Sequence, residues 1–274
     1  MNFYLLGYPV EHSVSPHMHN AAFKELGLDH RYSALGVPRE RLGEVVESKI
    51  RVDSFGGANV TIPHKIEIIK YVDELAQSAR KAGAVNTIEH KDGLLKGHNT
   101  DVLGGIRALK ENYGSLSSAK VVLLGAGGAA RALSAEIAPM VEELVILNRS
   151  IEKAKMLSES LGDNTSYGSL DEQQVIESAD ILINTTPLGM SPNTGESPVK
   201  KDYLHSELFV FDIVYNPLKT RLLRDAEEAG ARTLGGLWML VYQGVESFKV
   251  WTGIEPSADT MYEAALNALM EMRR

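Results

Sequence analysis

Lys65 closes the segment Asn59-Val60-Thr61-Ile62-Pro63-His64-Lys65, and Asp101 closes Gly97-His98-Asn99-Thr100-Asp101. A lysine with a carboxylate partner suits one kind of chemistry. When a hydride reaches a ketone, the oxygen becomes an alkoxide that needs a proton, and an ammonium oriented by an acid can supply it. Pro63 presets φ for a helix start and predicts Lys65 in a first helical turn. The positive end of the helix dipole disfavours a cation there, so the ammonium needs another partner. His64 is the alternative acid/base, imidazole being the ordinary proton carrier near neutral pH. Asp101 and Thr100 equally suit the cap of a following helix, so residue types alone leave a purely structural role for Asp101 open.

Near the N-terminus, Gly7-Tyr8-Pro9-Val10-Glu11-His12-Ser13-Val14-Ser15-Pro16 reads as a turn-rich loop entering a helix, with Ser15 as cap and Pro16 at the first helical position. Ser13 and Ser15 alternate, so their hydroxyls can converge with the helix N–H groups on a carboxylate. His12, His17 and His19 lack the i, i+4 spacing that puts two ligands on one helical face, and no metal is expected.

A second constellation spans residues 119–150. The apolar run Val121 to Leu124 ends at Gly125, and the turn Gly125-Ala126-Gly127-Gly128-Ala129-Ala130 leads into a helix. Gly125 permits a tight turn, Gly127 lets backbone approach a pyrophosphate, and Ala130 lets the helix lie close to the sheet. The free N–H groups of the helix start make an anion site without a lysine, which fits a dinucleotide. No Gly-Lys-Ser or Gly-Lys-Thr follows, so a nucleoside-triphosphate loop is a poor fit. The next strand, Leu144 to Leu147, ends in Asn148-Arg149-Ser150, where a fold specific for NAD places an acidic residue on the ribose. A guanidinium with short polar neighbours binds a 2′-phosphate by charge-assisted hydrogen bonds, which favours NADP. Lys153, one turn onward, is placed to reinforce that phosphate or to face water, and a solvated role for Arg149 is the alternative.

The elements that must position these residues are strands alternating with helices. The first part reads as a strand at Phe3 to Leu6, a helix at Pro16 to Leu26, a strand at Tyr32 to Val37, a helix at Pro38 to Lys49, a strand at Ala58 to Thr61 and a helix at Pro63 to Leu75. A hairpin follows, Ala84 to Glu89 with Leu94 to Lys96 around Lys91-Asp92-Gly93, then a helix at Thr100 to Asn112. Beyond the glycine turn come a helix at Ile151 to Leu161, strands at Ile181 to Asn184 and Phe209 to Ile213, a helix at Lys219 to Ala229 and a strand near Thr233. This order implies a mostly parallel, doubly wound sheet. Two amphipathic helices, Leu237 to Trp251 and Ser257 to Met272, are not needed by that sheet and are expected against the first domain.

Composition frames the chemistry. The 274 residues suffice for two domains, and 44% hydrophobic with 23% charged residues matches an ordinary globular chain. The absence of cysteine removes disulfides, thiolate catalysis and cysteine-ligated zinc. A net charge of -8 without a cluster of Lys and Arg speaks against nucleic acid. The apolar start lacks a basic leader, and no run reaches membrane-spanning length, so a cytoplasmic protein with no membrane partner is expected.

Taken together, the motifs resemble the NADP-dependent shikimate dehydrogenase family over essentially the whole chain. They are GYPVEHSVSPHMHN from Gly7, NVTIPHK from Asn59, GAVNT from Gly83, GHNTD from Gly97, GAGGAARA from Gly125, NTTPLGM from Asn184, DIVYNP from Asp212, and Gln243 in the last helical segment. The resemblance implies an α/β protein with an N-terminal substrate domain, residues 1–101 with 237–274, and an NADP-binding Rossmann-type domain, residues 102–236. It implies reversible reduction of 3-dehydroshikimate to shikimate by NADPH, with Lys65 as acid/base and Asp101 positioning it. Ser13 and Ser15 would hold the substrate carboxylate, and Thr61, Asn86, Asp101, Tyr215 and Gln243 its hydroxyls or ring face. The cofactor would lie on Gly125, Ala126, Gly127, Gly128 and Ala129. Asn148, Arg149, Ser150 and Lys153 would meet the 2′-phosphate, and Thr185, Ile213, Gly236 and Met239 the ribose or nicotinamide. Partners are then small molecules, with a monomer or homodimer expected. Ser150 departs from the threonine usual after Asn-Arg, and Tyr242-Gln243-Gly244 from an alanine-flanked glutamine. The rival expectations are a quinate/shikimate dehydrogenase using NAD as well as NADP, a methyltransferase on a similar sheet, and a non-catalytic nucleotide sensor.

Overall fold

Short apolar runs broken by turns give β1 (Asn2–Gly7), α1 (Ser15–Glu25), β2 (Arg31–Gly36), α2 (Leu42–Val45), β3 (Phe55–Val60), β4 (Glu74–Leu75), α3 (Gln77–Ala82), β5 (Thr87–Lys91), β6 (Leu94–His98) and α4 (Asp101–Tyr113) in a computed structural model that describes residues 1–272. The strands form one mixed sheet in the order β2-β1-β3-β5-β6-β4. β1 runs parallel to β2 and β3, and β5 runs antiparallel to β3 and β6. The antiparallel pair β5 and β6 is the predicted hairpin, turning at Asp92 and Gly93 with φ of 53° and 78°. Phe55, Ile68, Ile88 and Leu95 lie in the core on one side of this sheet.

The remaining strands are β7 (Lys120–Leu124), β8 (Glu143–Asn148), β9 (Thr165–Ser169), β10 (Ile181–Asn184), β11 (Phe209–Asp212) and β12 (Arg232–Gly235), with helices α5 (Gly128–Ile137), α6 (Ile151–Glu159) and α7 (Arg221–Glu228) between them. All pair in parallel, in the order β12-β11-β10-β7-β8-β9. The order reverses between β7 and β10, the switch point at which a doubly wound sheet opens a ligand crevice beyond its strand ends. Burial on both faces explains why β7, β10 and β11 are almost wholly apolar. The last helices are α8 (Leu237–Thr252) and α9 (Ala258–Glu271). α9 lies along α1, Phe248 of α8 meets Phe23 with ring centroids 4.9 Å apart, and Trp251 donates to the Ile88 carbonyl at 2.9 Å. The C-terminal helices thus pack on the first sheet's unit. The chain divides into two compact units, residues 1–104 with 241 onward and residues 105–240, with the breaks inside α4 and α8.

Several expected elements differ. No α-helix covers Pro63 to Leu75: the Ile62–Pro63 bond is cis and Glu67–Tyr71 forms a 3-10 turn. The helix expected at Pro38 to Lys49 is a chain of short pieces, a 3-10 turn at Arg39–Arg41, α2, and a π turn at Val46–Ile50. Gly43 and the β-branched pair Val45 and Val46 make poor α-helix there. Ser15 is not a cap, because Val14 holds that position and Ser15 begins the helix. The sequence reading missed β9, an edge strand of sequence TSYGS whose polar residues give no apolar run, along with the short β4 and α3.

Candidate active site

The turn after β3 carries Lys65, and the start of α4 carries Asp101. Lys65 Nζ donates to Asp101 Oδ2 at 2.5 Å, with both side chains about a third exposed. Lys65 is not in a helical first turn as the proline suggested. It lies in the turn before Glu67–Tyr71, and its carbonyl accepts the Val85 N–H at 2.8 Å. The partner the ammonium needs is therefore the carboxylate rather than any helix end. Capping does not occupy Asp101, since its Oδ1 accepts from Asn86 Nδ2 at 2.8 Å while Oδ2 takes Lys65. His64 cannot serve as the acid/base: it is fully buried, with Nε2 held at 2.5 Å by the Val37 carbonyl.

Asn86, buried at the end of the turn before β5, organises what surrounds the pair. Its Nδ2 also lies 3.0 Å from Thr100 Oγ1 and 3.4 Å from Gln243 Oε1, and its Oδ1 accepts the Thr100 N–H at 2.7 Å. Gln243 is likewise buried, and the Asn86 amide gives a partner to this polar group that follows the apolar first turns of α8. Behind them, Asn59, Thr87, Thr100 and Ser247 form a continuous hydrogen-bonded cluster. The sequence reading gave these four no chemical role. Their signal was polar side chains inside apolar elements, which must find partners when buried.

Ser13 and Ser15 do converge. Their hydroxyls are 3.2 Å apart, and Ser13 Oγ accepts the Ser15 N–H, so two hydroxyls stand at the start of α1 with no side-chain cap on that end. Thr61 is half-buried just after β3. His12 and His17 are exposed, whereas His19 is fully buried, its ring 4.5 Å from that of Tyr32 and neither nitrogen in a well-formed hydrogen bond.

In the second unit, the turn after β7 is built from backbone. Gly125 has φ of 110°, and a Cβ there would sit 2.6 Å from Thr185 Oγ1, so both conformation and space demand glycine. Thr185 Oγ1 itself donates to the Leu124 carbonyl at 2.5 Å, tying the ends of β10 and β7 together. Gly127 and Gly128 differ: a Cβ on either would meet nothing within 4 Å, and the α5 N-terminus carries no side-chain cap. Open space in front of free N–H groups is what a pyrophosphate requires, so these residues fit a dinucleotide. Ala126 is buried beneath the turn and Ala129 half-buried within it.

At the end of β8, Arg149 and Lys153 are exposed cations, and Asn148 donates to the Ser150 carbonyl at 2.9 Å. Ser150 departs from the simple expectation, because its hydroxyl donates to Glu152 Oε2 at 2.9 Å. Glu152's own backbone N–H and that hydroxyl hold its carboxyl below the usual range, so an anion stands beside the cations. Gly236 approaches the Ile213–Val214 backbone too closely for any Cβ, and Met239 lies half-buried beside Gly105. Tyr215 is exposed on the loop after β11. The buried Asp212 anchors that loop: Oδ2 accepts from Thr220 at 2.6 Å, and Oδ1 from Val214 N at 3.1 Å and Asn184 Nδ2 at 2.9 Å.

Comparison with known proteins agrees along the chain. Residues 5–88 match the family described as shikimate dehydrogenase substrate binding domain, residues 107–216 shikimate / quinate 5-dehydrogenase, and residues 236–266 shikimate 5'-dehydrogenase C-terminal domain. A shikimate dehydrogenase (NADP(+)) of Methanocaldococcus jannaschii is 44% identical over 274 residues, covering 97% of this chain and 96% of the relative. A crystal structure of a shikimate dehydrogenase in complex with NADP+ superposes with a TM-score of 0.91 at 43% identity, over 98% of this chain and 95% of that one. The Thermus thermophilus enzyme in complex with NADP(H) and shikimate gives a TM-score of 0.87 at 36% identity, over 98% and 99%.

Proposed function

The chain belongs to the shikimate dehydrogenase family, and on that premise we propose that Lys65 and Asp101 are its proton-handling pair. The protein is an oxidoreductase that reversibly reduces 3-dehydroshikimate to shikimate with NADPH, a step in the building of aromatic amino acids. NADPH supplies the hydride when bound.

In the direction of reduction, the Lys65 ammonium gives its proton to the oxygen that becomes the alcohol, and in oxidation it takes the proton back. Asp101 holds the ammonium through Oδ2 while Asn86 holds Oδ1, so the carboxylate does not turn away. The Ser13 and Ser15 hydroxyls receive the substrate carboxylate, and Thr61, Asn86, Asp101 and Gln243 take its hydroxyls. What carries this reading is the Lys65–Asp101 contact at 2.5 Å, braced by a buried amide. The glycine turn and the α5 N-terminus take the pyrophosphate of NADP, and Arg149 with Lys153 and Asn148 its 2′-phosphate. We place the enzyme in the cytoplasm as a monomer or homodimer. Among the described residues no helix is long and apolar enough to cross a membrane.

The test is direct. Purified protein given shikimate and NADP+ should produce NADPH, followed by its absorbance; a protein that binds both ligands yet turns over neither at any pH is a sensor and not this enzyme.

A further inference from the structure

We propose that Ser247 is a positioning residue for this reaction: its hydroxyl holds the Thr100 hydroxyl that receives the Asn86 amide, and through Asn86 it steadies the Asp101 carboxylate that pairs with Lys65. The inference rests on the roles just given to Lys65 and Asp101. Ser247 lies one turn after Gln243 on α8 and is fully buried. Its Oγ has four polar neighbours: Thr87 Oγ1 at 2.8 Å, Asn59 Nδ2 at 2.9 Å, the Gln243 carbonyl at 2.9 Å and Thr100 Oγ1 at 3.0 Å.

A hydroxyl has one hydrogen to give and two lone pairs, so four neighbours cannot all be served alike. With the hydrogen given to the Gln243 carbonyl, one lone pair takes the Asn59 N–H and the other takes a threonine hydroxyl. Thr87 turns its own hydrogen to Asn86 Oδ1 at 2.9 Å, which leaves Thr100 to donate to Ser247. Asn86 Oδ1 then receives the Thr87 hydroxyl and the Thr100 N–H, and its Nδ2 is directed at Thr100 Oγ1 and Asp101 Oδ1. The reversed amide would set an NH₂ against the Thr100 N–H, donor against donor. With Asp101 Oδ1 held in this way, Oδ2 is left for Lys65.

Without the Ser247 oxygen, the Thr100 hydroxyl has only Thr87 Oγ1 at 3.1 Å, which Asn59 Nδ2 also approaches at 3.2 Å, and Asn86 Oδ1 at 3.3 Å, where it competes with the Thr87 hydroxyl. The Asn59 amide loses its shortest acceptor at the same stroke. In a dry interior such a network is specific only while every member is satisfied. Thr252 supplies the contrast on the same helix. Its hydroxyl donates to the carbonyl four residues back, Phe248, at 2.8 Å, as Ser247 does to Gln243, but it reaches no part of the cluster.

The experiment uses the full chain with shikimate and NADP+. Ser247→Ala should lower kcat about tenfold, the size of effect expected from a misaligned catalytic group, while KM for NADP+ stays within about twofold. The ¹⁵N–¹H signals of the Asn86 side-chain amide should shift and broaden as its acceptor, the Thr100 hydroxyl, loses its fixed position. Thr252→Ala should leave kcat and those signals at parental values. Should the alanine chain fail to fold, Ser247→Cys, which fills the space with a poor hydrogen-bonding atom, carries the same expectation. A Ser247 variant with parental kcat, or an equal loss in Thr252→Ala, overturns this inference provided that Lys65→Ala is inactive. Parental turnover in Lys65→Ala instead removes the reading on which it rests.

Discussion

The two units build their candidate sites in different ways. In the first, the candidate groups are side chains from distant parts of the sequence, Lys65, Asn86, Asp101 and Gln243, each oriented by another side chain. In the second, the glycine turn offers backbone N–H groups at the start of one helix, with open space in front of Gly127 and Gly128, and exposed cations at Arg149 and Lys153 stand beyond the next strand. A site made of mutually oriented side chains concentrates function in single atoms. A site made of backbone spreads it over a turn, and only side chains added in the wrong place damage it.

The largest expected effect lies in the first unit. Lys65→Ala should reduce turnover by about 10³, within the range for loss of a general acid or base, and leave KM for NADP+ nearly unchanged. Steady-state kinetics with both substrates decide it; a collapse of cofactor affinity with turnover intact would assign Lys65 to the wrong unit's work.

Next comes the response to acid, in which one buried group in each unit acts with opposite sign. Burial pushes His19 from 6.5 down to about 3, against the pull of the neighbouring Asn59 side chain. Between those values the unfolded chain binds a proton that the folded chain refuses, so this stability is full above pH 6.5 and is lost as pH falls, by a few kcal/mol in all. Burial raises Asp212 from 3.8 to about 6, against the pull of Thr220, Val214 and Asn184. Here the folded chain keeps a proton the unfolded chain has released, so stability is lost as pH rises from about 4 to 6 and regained in acid. Hydrogen exchange between about pH 4 and 7 reads each unit separately. His19→Phe should remove the acid weakening of the first, and Asp212→Asn should flatten the opposite slope in the second.

Smaller effects sharpen the comparison within the second unit. Arg149→Asp should lower NADP+ affinity about 10²-fold, since a charge-assisted contact is replaced by repulsion, and should leave NAD+ affinity nearly unchanged. Titration with each cofactor checks this, and equal losses for both would detach Arg149 from the 2′-phosphate. Gly127→Ala and Gly125→Ala form the last pair. The first meets no atom and should keep the parental melting temperature while weakening NADP+ about tenfold; the second meets Thr185 at a positive φ and should cost about 1–3 kcal/mol of stability. Thermal melts beside cofactor titrations separate the two.

What could be read from the residues in advance follows the same division. The glycine turn, the apolar strand before it and Asn148-Arg149-Ser150 after the next strand are local patterns, and local geometry follows from them. Lys65 and Asp101 stood out by type and motif, but the expected helix start at Pro63 was wrong. A cis bond and a 3-10 turn take its place, and the partner of Lys65 is set by a strand pairing that no local propensity encodes. His64 was the runner-up by residue type, and only burial against the Val37 carbonyl removes it. Glu152 was invisible as a participant until the first turn of α6 brought its carboxylate to Ser150.

The sequence by itself determined the alternation of strands and helices, the nucleotide turn and the kinds of groups available for proton transfer, because periodicity, glycine and residue chemistry act over a few positions. The tertiary structure alone decided which of those groups meet. Asn59, Asn86, Thr100 and Ser247 come from four separate stretches of the chain, and strand pairing in the first sheet together with the packing of α8 on it brings their hydrogen-bonding atoms within 3.2 Å of their partners. A hydrogen bond needs position and direction at once, and neither is written in a chain until its long-range contacts close.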